Sequence, residues 1–117
     1  MNIKITFANK LMLKKDDTVF FGPGVAELLE DIEETGSVRN ASEKMGLSYS
    51  KAWMMIRNAS AGLGAEIVNR TKGGIGGGGS ATLTEAGKDI LARYRSFEAD
   101  CNKEIGILFG RYFNAER

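Results

Sequence analysis

Two short amphipathic segments meet across a glycine-containing turn in residues 37–63, and this arrangement constrains the fold most. Ser37 is a residue type that caps helix N-termini and Gly46 one that ends helices, so the first segment is only about two turns long. Ser48 caps the second segment. Small or apolar side chains recur every three or four residues, at Val38, Ala41, Ser42 and Met45, and then at Ala52, Ile56, Ala59 and Leu63. The pattern predicts a helix-turn-helix unit.

The residues before this unit predict strands followed by one helix. Apolar side chains alternate with polar ones over residues 3–7 (Ile3, Ile5 and Phe7), extended runs cover residues 11–14 and 19–21, and a turn is expected at Asp16 and Asp17. Residues 24–36 predict a helix that ends at Gly36. Its inner face carries Val25, Leu28, Leu29 and Ile32, and its outer face is strongly acidic.

The residues after the unit predict a hairpin and a long helix. Extended patterns at 66–70 and 81–84 flank the stretch 71–80, in which six of ten residues are glycine, so a flexible hairpin tip is expected. Thr84 caps a helix that runs to residue 113. At about 1.5 Å per residue its apolar stripe is roughly 40 Å long, more than the roughly 30 Å diameter of a small domain. Part of this helix should therefore project and need a partner.

These elements predict one α+β domain, mainly helical, over residues 1–117: a winged helix-turn-helix with an N-terminal β-hairpin and a long C-terminal helix. Its parts are N-terminal strands at 1–21, the first helix at 24–36, the helix-turn-helix at 37–63, the wing at 66–84 and the last helix at 85–113.

Composition excludes several classes of function. The chain has no histidine and one cysteine, so a disulfide framework and zinc sites of the common Cys/His type are excluded, and we expect neither a metal nor a cofactor. The commonest general base is missing, and no carboxylate pair stands at a defined spacing in a pocket-forming context, so we expect no enzyme. No apolar run approaches the roughly 18 residues of a membrane span, and the first residues lack the apolar block of a signal peptide. We expect a cytoplasmic protein without a membrane partner.

The charges are unevenly distributed, although the formal net charge is only +1. Residues 24–36 hold five acidic residues and no basic one, whereas residues 37–88 hold seven basic residues against three acidic ones. If the chain binds a polyanion, we therefore expect residues 37–88 to form the contact.

The outward side of the third predicted helix supplies the DNA-binding candidates. With Ala52 and Ile56 inward, the residues placed to reach base edges or phosphates in a major groove are Ser48, Tyr49, Ser50, Lys51 and Met54. Phosphate contacts are better suited to Arg57, Arg70 and Lys72, and Arg39 completes the set. The alternative is a solvated helix face without a ligand; the adjoining basic glycine hairpin favours DNA. We expect Trp53 to pack between helices rather than to stack on a base.

A combination of motifs resembles a known family. The segments Thr35–Ser37, Gly46–Trp53, Arg70–Gly79 and Leu83–Gly87 together resemble the N-terminal winged helix-turn-helix domain of the molybdate-responsive ModE regulators, over roughly residues 20–113. More distantly, residues 37–87 resemble the DNA-binding half of LysR-type regulators. The resemblance implies a homodimeric transcription factor that binds double-stranded DNA, with the third helix in the major groove, the glycine hairpin as wing and the last helix in dimerisation.

The implied dimer seam is the apolar stripe of the last helix, formed by Ile90, Tyr94, Phe97, Cys101, Ile105, Leu108 and Tyr112. Cys101 is expected to be a small buried hydrophobe, and a two-fold seam would bring it close to its symmetry mate. The ModE family carries C-terminal molybdate-binding domains that have no counterpart in these residues, so no molybdate site is expected in this chain. The alternative function is a protein-interaction module that uses the winged fold and the long apolar helix without DNA.

Overall fold

The computed structural model of the chain describes residues 4–71 and 79–113. The elements within these ranges are β1 (Leu13–Lys15), β2 (Thr18–Phe21), α1 (Pro23–Thr35), α2 (Val38–Met45), α3 (Tyr49–Leu63), β3 (Val68–Thr71), β4 (Ser80–Leu83) and α4 (Glu85–Phe113). β1 pairs with β2 and β3 with β4, each pair antiparallel. The predicted class is confirmed: a mainly helical α+β winged helix-turn-helix fold with an N-terminal hairpin and a long last helix. The tip predicted for the second hairpin, including Lys72, lies outside the described residues.

The boundaries of α2 and α3 follow from their capping residues. The hydroxyl of Ser37 accepts a hydrogen bond from the backbone N–H of Asn40 at 3.0 Å, and that of Ser48 accepts one from Lys51 at 3.1 Å. Gly46 ends α2 with a φ of +72°, a left-handed conformation that side chains with a Cβ rarely adopt. Local chemistry thus produces the predicted pair of helices and the turn between them.

The N-terminal strand predicted over residues 3–7 is wrong for its described part, since residues 4–12 form no strand. The segment lies along the far half of α4, where the rings of Phe7 and Phe109 are 5.1 Å apart and Asn9 donates a hydrogen bond to Asn102. The predicted turn at Asp16 and Asp17 is present, with both residues at positive φ, but it joins strands of only three and four residues. No neighbouring strand therefore reaches back far enough to pair with residues 4–7.

The hydrophobic core is built from every helix and both hairpins. Its largest side chains with less than 2% exposure are Phe21, Leu28, Leu29, Ile32, Ile56, Ile67 and Tyr94. Tyr94 closes the core toward the N-terminus, because its hydroxyl donates to the carbonyl of Leu11 at 3.0 Å and its ring lies 5.1 Å from that of Phe21. Burial raises the pKa of the Tyr94 phenol, so the hydroxyl stays protonated as that donor.

The junction between the second hairpin and α4 depends on Thr84 and Gly87. Thr84 donates from its hydroxyl to the carbonyl of Glu66 at 2.6 Å, and the same oxygen accepts from the N–H of Gly87 at 2.9 Å. A Cβ on Gly87 would lie 2.1 Å from the carbonyl oxygen of Ile67. Only glycine therefore allows α4 to begin this close to the backbone that leads into β3.

Gly87→Ala should lower the free energy of unfolding by roughly 1–3 kcal/mol, because the backbone of Ile67 must move to accept the methyl group. Chemical denaturation of the whole chain measures this. Gly106→Ala in the same helix is the matched control, since its Cβ would meet nothing nearer than Phe7 at 3.9 Å. The control should gain up to about 1 kcal/mol from helix propensity. Equal stabilities of the two variants would contradict the close approach.

Arg95 ties α4 to α1. Its guanidinium donates two hydrogen bonds to the carboxylate of Glu30, at 2.8 and 2.9 Å, and a third to Glu98 at 2.7 Å. The hydrogen bond from Arg95 holds the pKa of Glu30 below its usual value of 4.5, outweighing the opposing effect of partial burial. This pair contributes stability while Glu30 is ionised.

Glu30→Gln should destabilise the chain by about 1 kcal/mol at pH 7, a low value because both side chains are partly exposed. The folded-state pKa of Glu30 is depressed, so the contribution is complete above the unfolded pKa near 4.5 and is lost as pH falls through the folded value. Denaturation midpoints of the parent and the variant should therefore converge as pH falls below 4.5 and through the folded-state pKa of Glu30. Glu33→Gln, on the exposed side of α1, is the control. A stability difference that did not change with pH would contradict the assignment.

Only the first third of α4 is packed in the core. Ile90 and Tyr94 are 7% and 1% exposed, so they belong to the core of this chain and are unavailable to the predicted dimer seam. Farther along, Phe97, Leu108 and Tyr112 are about half to three-quarters exposed, at 50%, 48% and 72%. Within residues 4–71 and 79–113, every helix is too short or too polar to span a bilayer. The fold extends 63 Å along its longest axis, consistent with a helix that projects.

Candidate nucleic-acid interface

The orientation of α3 determines which side chains reach solvent. Ala52, Ile56 and Ala59 are buried against the core, as predicted. At 3.6 residues per turn, the opposite ridge carries Ser50, Met54, Arg57 and Ala61, all of them exposed. The ridge holds no acidic residue, so it presents hydroxyl, thioether and guanidinium groups to a partner.

The fold brings the predicted DNA-binding residues to one region of the surface, apart from Tyr49, which is half-buried, and Lys72, which lies outside the described residues. Exposed positions are occupied by Arg39, Ser48, Ser50, Lys51, Met54, Arg57 and Arg70. The hydroxyl oxygen of Ser48 is engaged as the cap of α3 and lies 3.4 Å from that of Ser50. Ser48 therefore orients the start of the helix as well as facing solvent.

A stack of two arginines and two aromatic residues joins three elements beside the ridge. Arg39 of α2 places its guanidinium carbon 4.3 Å from the centre of the Tyr49 ring. Arg70 of β3 donates a hydrogen bond to the Tyr49 hydroxyl at 3.2 Å, and its guanidinium lies 5.0 Å from the Trp53 ring. Tyr49 and Trp53 meet edge to face, with centroids 6.5 Å apart. The side chains of Arg39, Tyr49, Trp53 and Arg70 are called the aromatic–arginine stack below.

Trp53 packs against the core, as the sequence predicts, but its position in the stack is not evident from the sequence. The spacing of four residues between Tyr49 and Trp53 places both on one flank of α3, which is the only signal available in advance. Its indole Nε1 is buried and has no hydrogen-bond partner among the described residues. This leaves an unused donor on the ring over which the Arg70 guanidinium lies.

The basic side chains near α3 and the acidic side chains of α1 differ in whether they have oppositely charged partners. In residues 4–71 and 79–113, no ion pair engages Arg39, Lys51, Arg57 or Arg70. The acids of α1 are instead partly neutralised within the protein. Lys44 contacts both Glu34 and Asp31, and hydrogen bonds to these carboxylates raise the pKa of its ammonium group. The cationic groups near α3 therefore remain available to an anion from outside.

The other flank of α3 faces the N-terminal hairpin across a groove of about 530 Å³. Its walls include Met12, Phe20 and Met55, and Lys10 and Lys51 contribute to its lining. Lys10 was not identified as a candidate from the sequence, because only the folded hairpin brings it to the same groove as Lys51. A second cationic position thus lies on the side of α3 away from the stack.

Ser48→Ala should lower the free energy of unfolding by about 1 kcal/mol, because the N–H of Lys51 at the start of α3 loses its acceptor. Urea denaturation of the whole chain is the measurement. Ser50→Ala is the matched control on the same turn, since its hydroxyl caps nothing, and it should change stability by less than about 0.5 kcal/mol. The capping role would be contradicted if the two alanine variants were equally stable.

Comparison with known proteins identifies relatives of this region. A family described as bacterial regulatory helix-turn-helix protein, lysR family, matches residues 25–88, which run from α1 to the beginning of α4. The matched residues contain α2, α3 and the whole aromatic–arginine stack.

Three curated proteins illustrate the similarity. The molybdenum-pterin-binding protein MopB of Rhodobacter capsulatus is 41% identical over 76 residues, or 65% of this chain and 28% of MopB. The transcriptional regulator ModE of Yersinia pestis is 36% identical over 84 residues, or 72% of this chain and 32% of that protein. The DNA-binding transcriptional dual regulator ModE of Escherichia coli (strain K12) is 34% identical over the same shares. The matches cover about a third of each relative's length and confirm the resemblance inferred from the sequence.

Proposed function

The chain belongs to the lysR family of bacterial regulatory helix-turn-helix proteins; we propose that it is a transcriptional regulator that recognises a defined sequence in double-stranded DNA as a homodimer. The observation that carries the proposal is the exposed ridge of α3 beside four basic side chains that have no acidic partner in the described residues. A major groove about 12 Å wide admits one helix presented in this way.

Different residues take different parts in recognition. Ser50, Lys51 and Met54 stand on the first turns of α3, where base edges are usually reached, and Met54 is 42% exposed and able to contact a thymine methyl group. Arg57 lies one turn further along the ridge and suits a phosphate. Lys72 remains a predicted phosphate contact of the wing.

The far half of α4 supplies the dimer contact in this proposal. Phe97, Leu108 and Tyr112 keep about half or more of their surface exposed, and Cys101 and Ile105 on the same stripe are half-buried. Exposed apolar side chains of this size gain free energy when a second copy covers them. Two copies related by a two-fold axis would present their α3 helices to half-sites about 34 Å apart, or a multiple of that distance.

The names of several relatives, such as the molybdenum-pterin-binding protein MopB, refer to molybdenum, but the matched segments are only about a quarter to a third of those proteins. The proposal for this chain therefore concerns DNA alone.

A protein-interaction module is the second candidate. Ile107 and Phe113 are 53% and 57% exposed and lie off the stripe of Leu108 and Tyr112, so a two-fold seam along that stripe would leave them uncovered. A different protein could bind to these two exposed side chains. Mobility shifts with mixed duplex fragments separate the candidates, since an interaction module would retard no DNA at any salt concentration.

Lys51→Ala should change which duplex sequences are preferred, because Lys51 is placed to reach base edges. Arg57→Gln should instead weaken binding to all sequences alike and reduce the slope of log affinity against log salt by about one. Selection from a random duplex library and titration at several salt concentrations give these two readouts. Lys103→Ala, an exposed lysine of α4, controls for loss of a charge. If neither substitution near α3 changed binding, this face would not be the DNA-binding surface.

A further inference from the structure

A small cavity of about 20 Å³ lies where the starts of α2 and α3 meet the base of the β3–β4 hairpin. The polar residues in its lining are Ser37, Arg39, Tyr49, Trp53, Arg70 and Ser80, each of which carries at least one hydrogen-bond donor. None of the described lining residues is acidic. A volume above roughly 10–15 Å³ admits one oxygen atom of the size of water. The lining is therefore suited to an oxygen that carries negative charge.

The two arginines of this cavity are held in place before any ligand arrives. Arg39 is stacked on the Tyr49 ring at 4.3 Å, and Arg70 is fixed both by the Tyr49 hydroxyl and by the Trp53 ring at 5.0 Å. Stacking on aromatic faces leaves the N–H groups at the edge of a guanidinium free to donate. Because the arginines are already ordered, binding an anion costs less side-chain entropy than it would with two freely rotating arginines.

Trp53 provides a third observation, which does not depend on the charges of Arg39 and Arg70. Its Nε1 is a donor that cannot accept, and it is buried with no acceptor in the described parts of the chain. Burying an unpaired donor is unfavourable, and native structures usually supply a partner from the protein, from water or from a ligand. Trp53 lines the cavity, so an oxygen bound there would lie against the residue that carries this unpaired donor.

We propose that this cavity receives one non-bridging oxygen of a DNA backbone phosphate, with Arg39 and Arg70 donating to the phosphate and neutralising its charge. The inference rests on the proposed function and adds the site at which the hairpin base and α3 grip one phosphate together. DNA is favoured over a free anion because Tyr49 opens α3, so a phosphate held here lies beside the ridge assigned to the major groove. Tyr49 becomes a positioning residue that holds the arginines, rather than a reader of bases.

The only tryptophan of the chain is Trp53, so tryptophan fluorescence reports on the surroundings of this one residue, which include the cavity. Titration of the full chain with duplex DNA at constant salt should change the Trp53 emission. Arg70→Gln should lower duplex affinity by about tenfold at low salt and reduce the salt slope by about one. Arg93→Gln, an exposed arginine of α4, is the matched control and should leave affinity unchanged.

Two conservative variants separate positioning from base reading. Tyr49→Phe keeps the ring under Arg39 but removes the acceptor for Arg70, and Trp53→Phe leaves Arg70 a smaller ring to stack on. Each should weaken binding by several-fold to all duplex sequences alike, with the circular dichroism spectrum and melting temperature nearly unchanged. Altered sequence preference in Tyr49→Phe, or parental affinity in both Arg70→Gln and Trp53→Phe, would overturn the proposal while leaving the proposed function intact.

Inorganic phosphate, titrated against chloride at equal ionic strength, distinguishes the two sources of the anion. A change in Trp53 emission that occurs with duplex DNA and is lost in Arg70→Gln supports a backbone phosphate. A change with inorganic phosphate alone, in a chain that binds no duplex, would overturn both this inference and the proposed function. The cavity would then be a site for a free anion.

Discussion

The packing of the small inner face of α3 onto the core is the constraint on which the rest of the structure depends. Ala52 and Ala59 are wholly buried and Ile56 nearly so, so the helix is held close to its neighbours in one rotational setting. Because that setting is determined by apolar contacts, the ridge of Ser50, Met54 and Arg57 must face solvent whether or not a ligand is present. A surface arranged before binding loses less entropy when a duplex docks.

Charge placement follows from the same packing. Three of the five acids of α1, Glu30, Asp31 and Glu34, meet Arg95 of α4 or Lys44 of α2, whereas the cations near α3 have no acidic partners among the described residues. Net charge alone hides this separation, since the whole chain carries only +1. A duplex approaching α3 meets a local excess of positive charge, and its affinity should depend on salt accordingly.

The sequence was informative where structure is determined locally. Ser37, Gly46 and Ser48 predicted the ends of α2 and α3, because capping involves residues only a few positions apart. It failed at residues 4–7, since an alternating pattern becomes a strand only when a neighbouring strand can pair with it. It also could not divide the stripe of α4 into a core part, with Ile90 and Tyr94, and an exposed part, because that division depends on where the other elements end.

The candidate interface, too, could be predicted from the sequence only in part. The exposed residues of α3 could be predicted from helical periodicity, but the aromatic–arginine stack could not. Arg39 and Arg70 are separated from Tyr49 by 10 and 21 residues, and their approach results from the packing of α2 and the β3–β4 hairpin beside the start of the helix. Periodicity within one element carries no information about such contacts.

The central claim is that duplex DNA docks on α3 beside the stack. Backbone amide NMR shifts of the isotopically labelled full chain, recorded during titration with a selected duplex, test it most directly. The account predicts that the largest shifts fall on Arg39, residues 48–57 and Arg70, with little change at the acidic positions Glu27 and Glu33 of α1. Shifts that spared residues 48–57 while appearing elsewhere in the chain would contradict it.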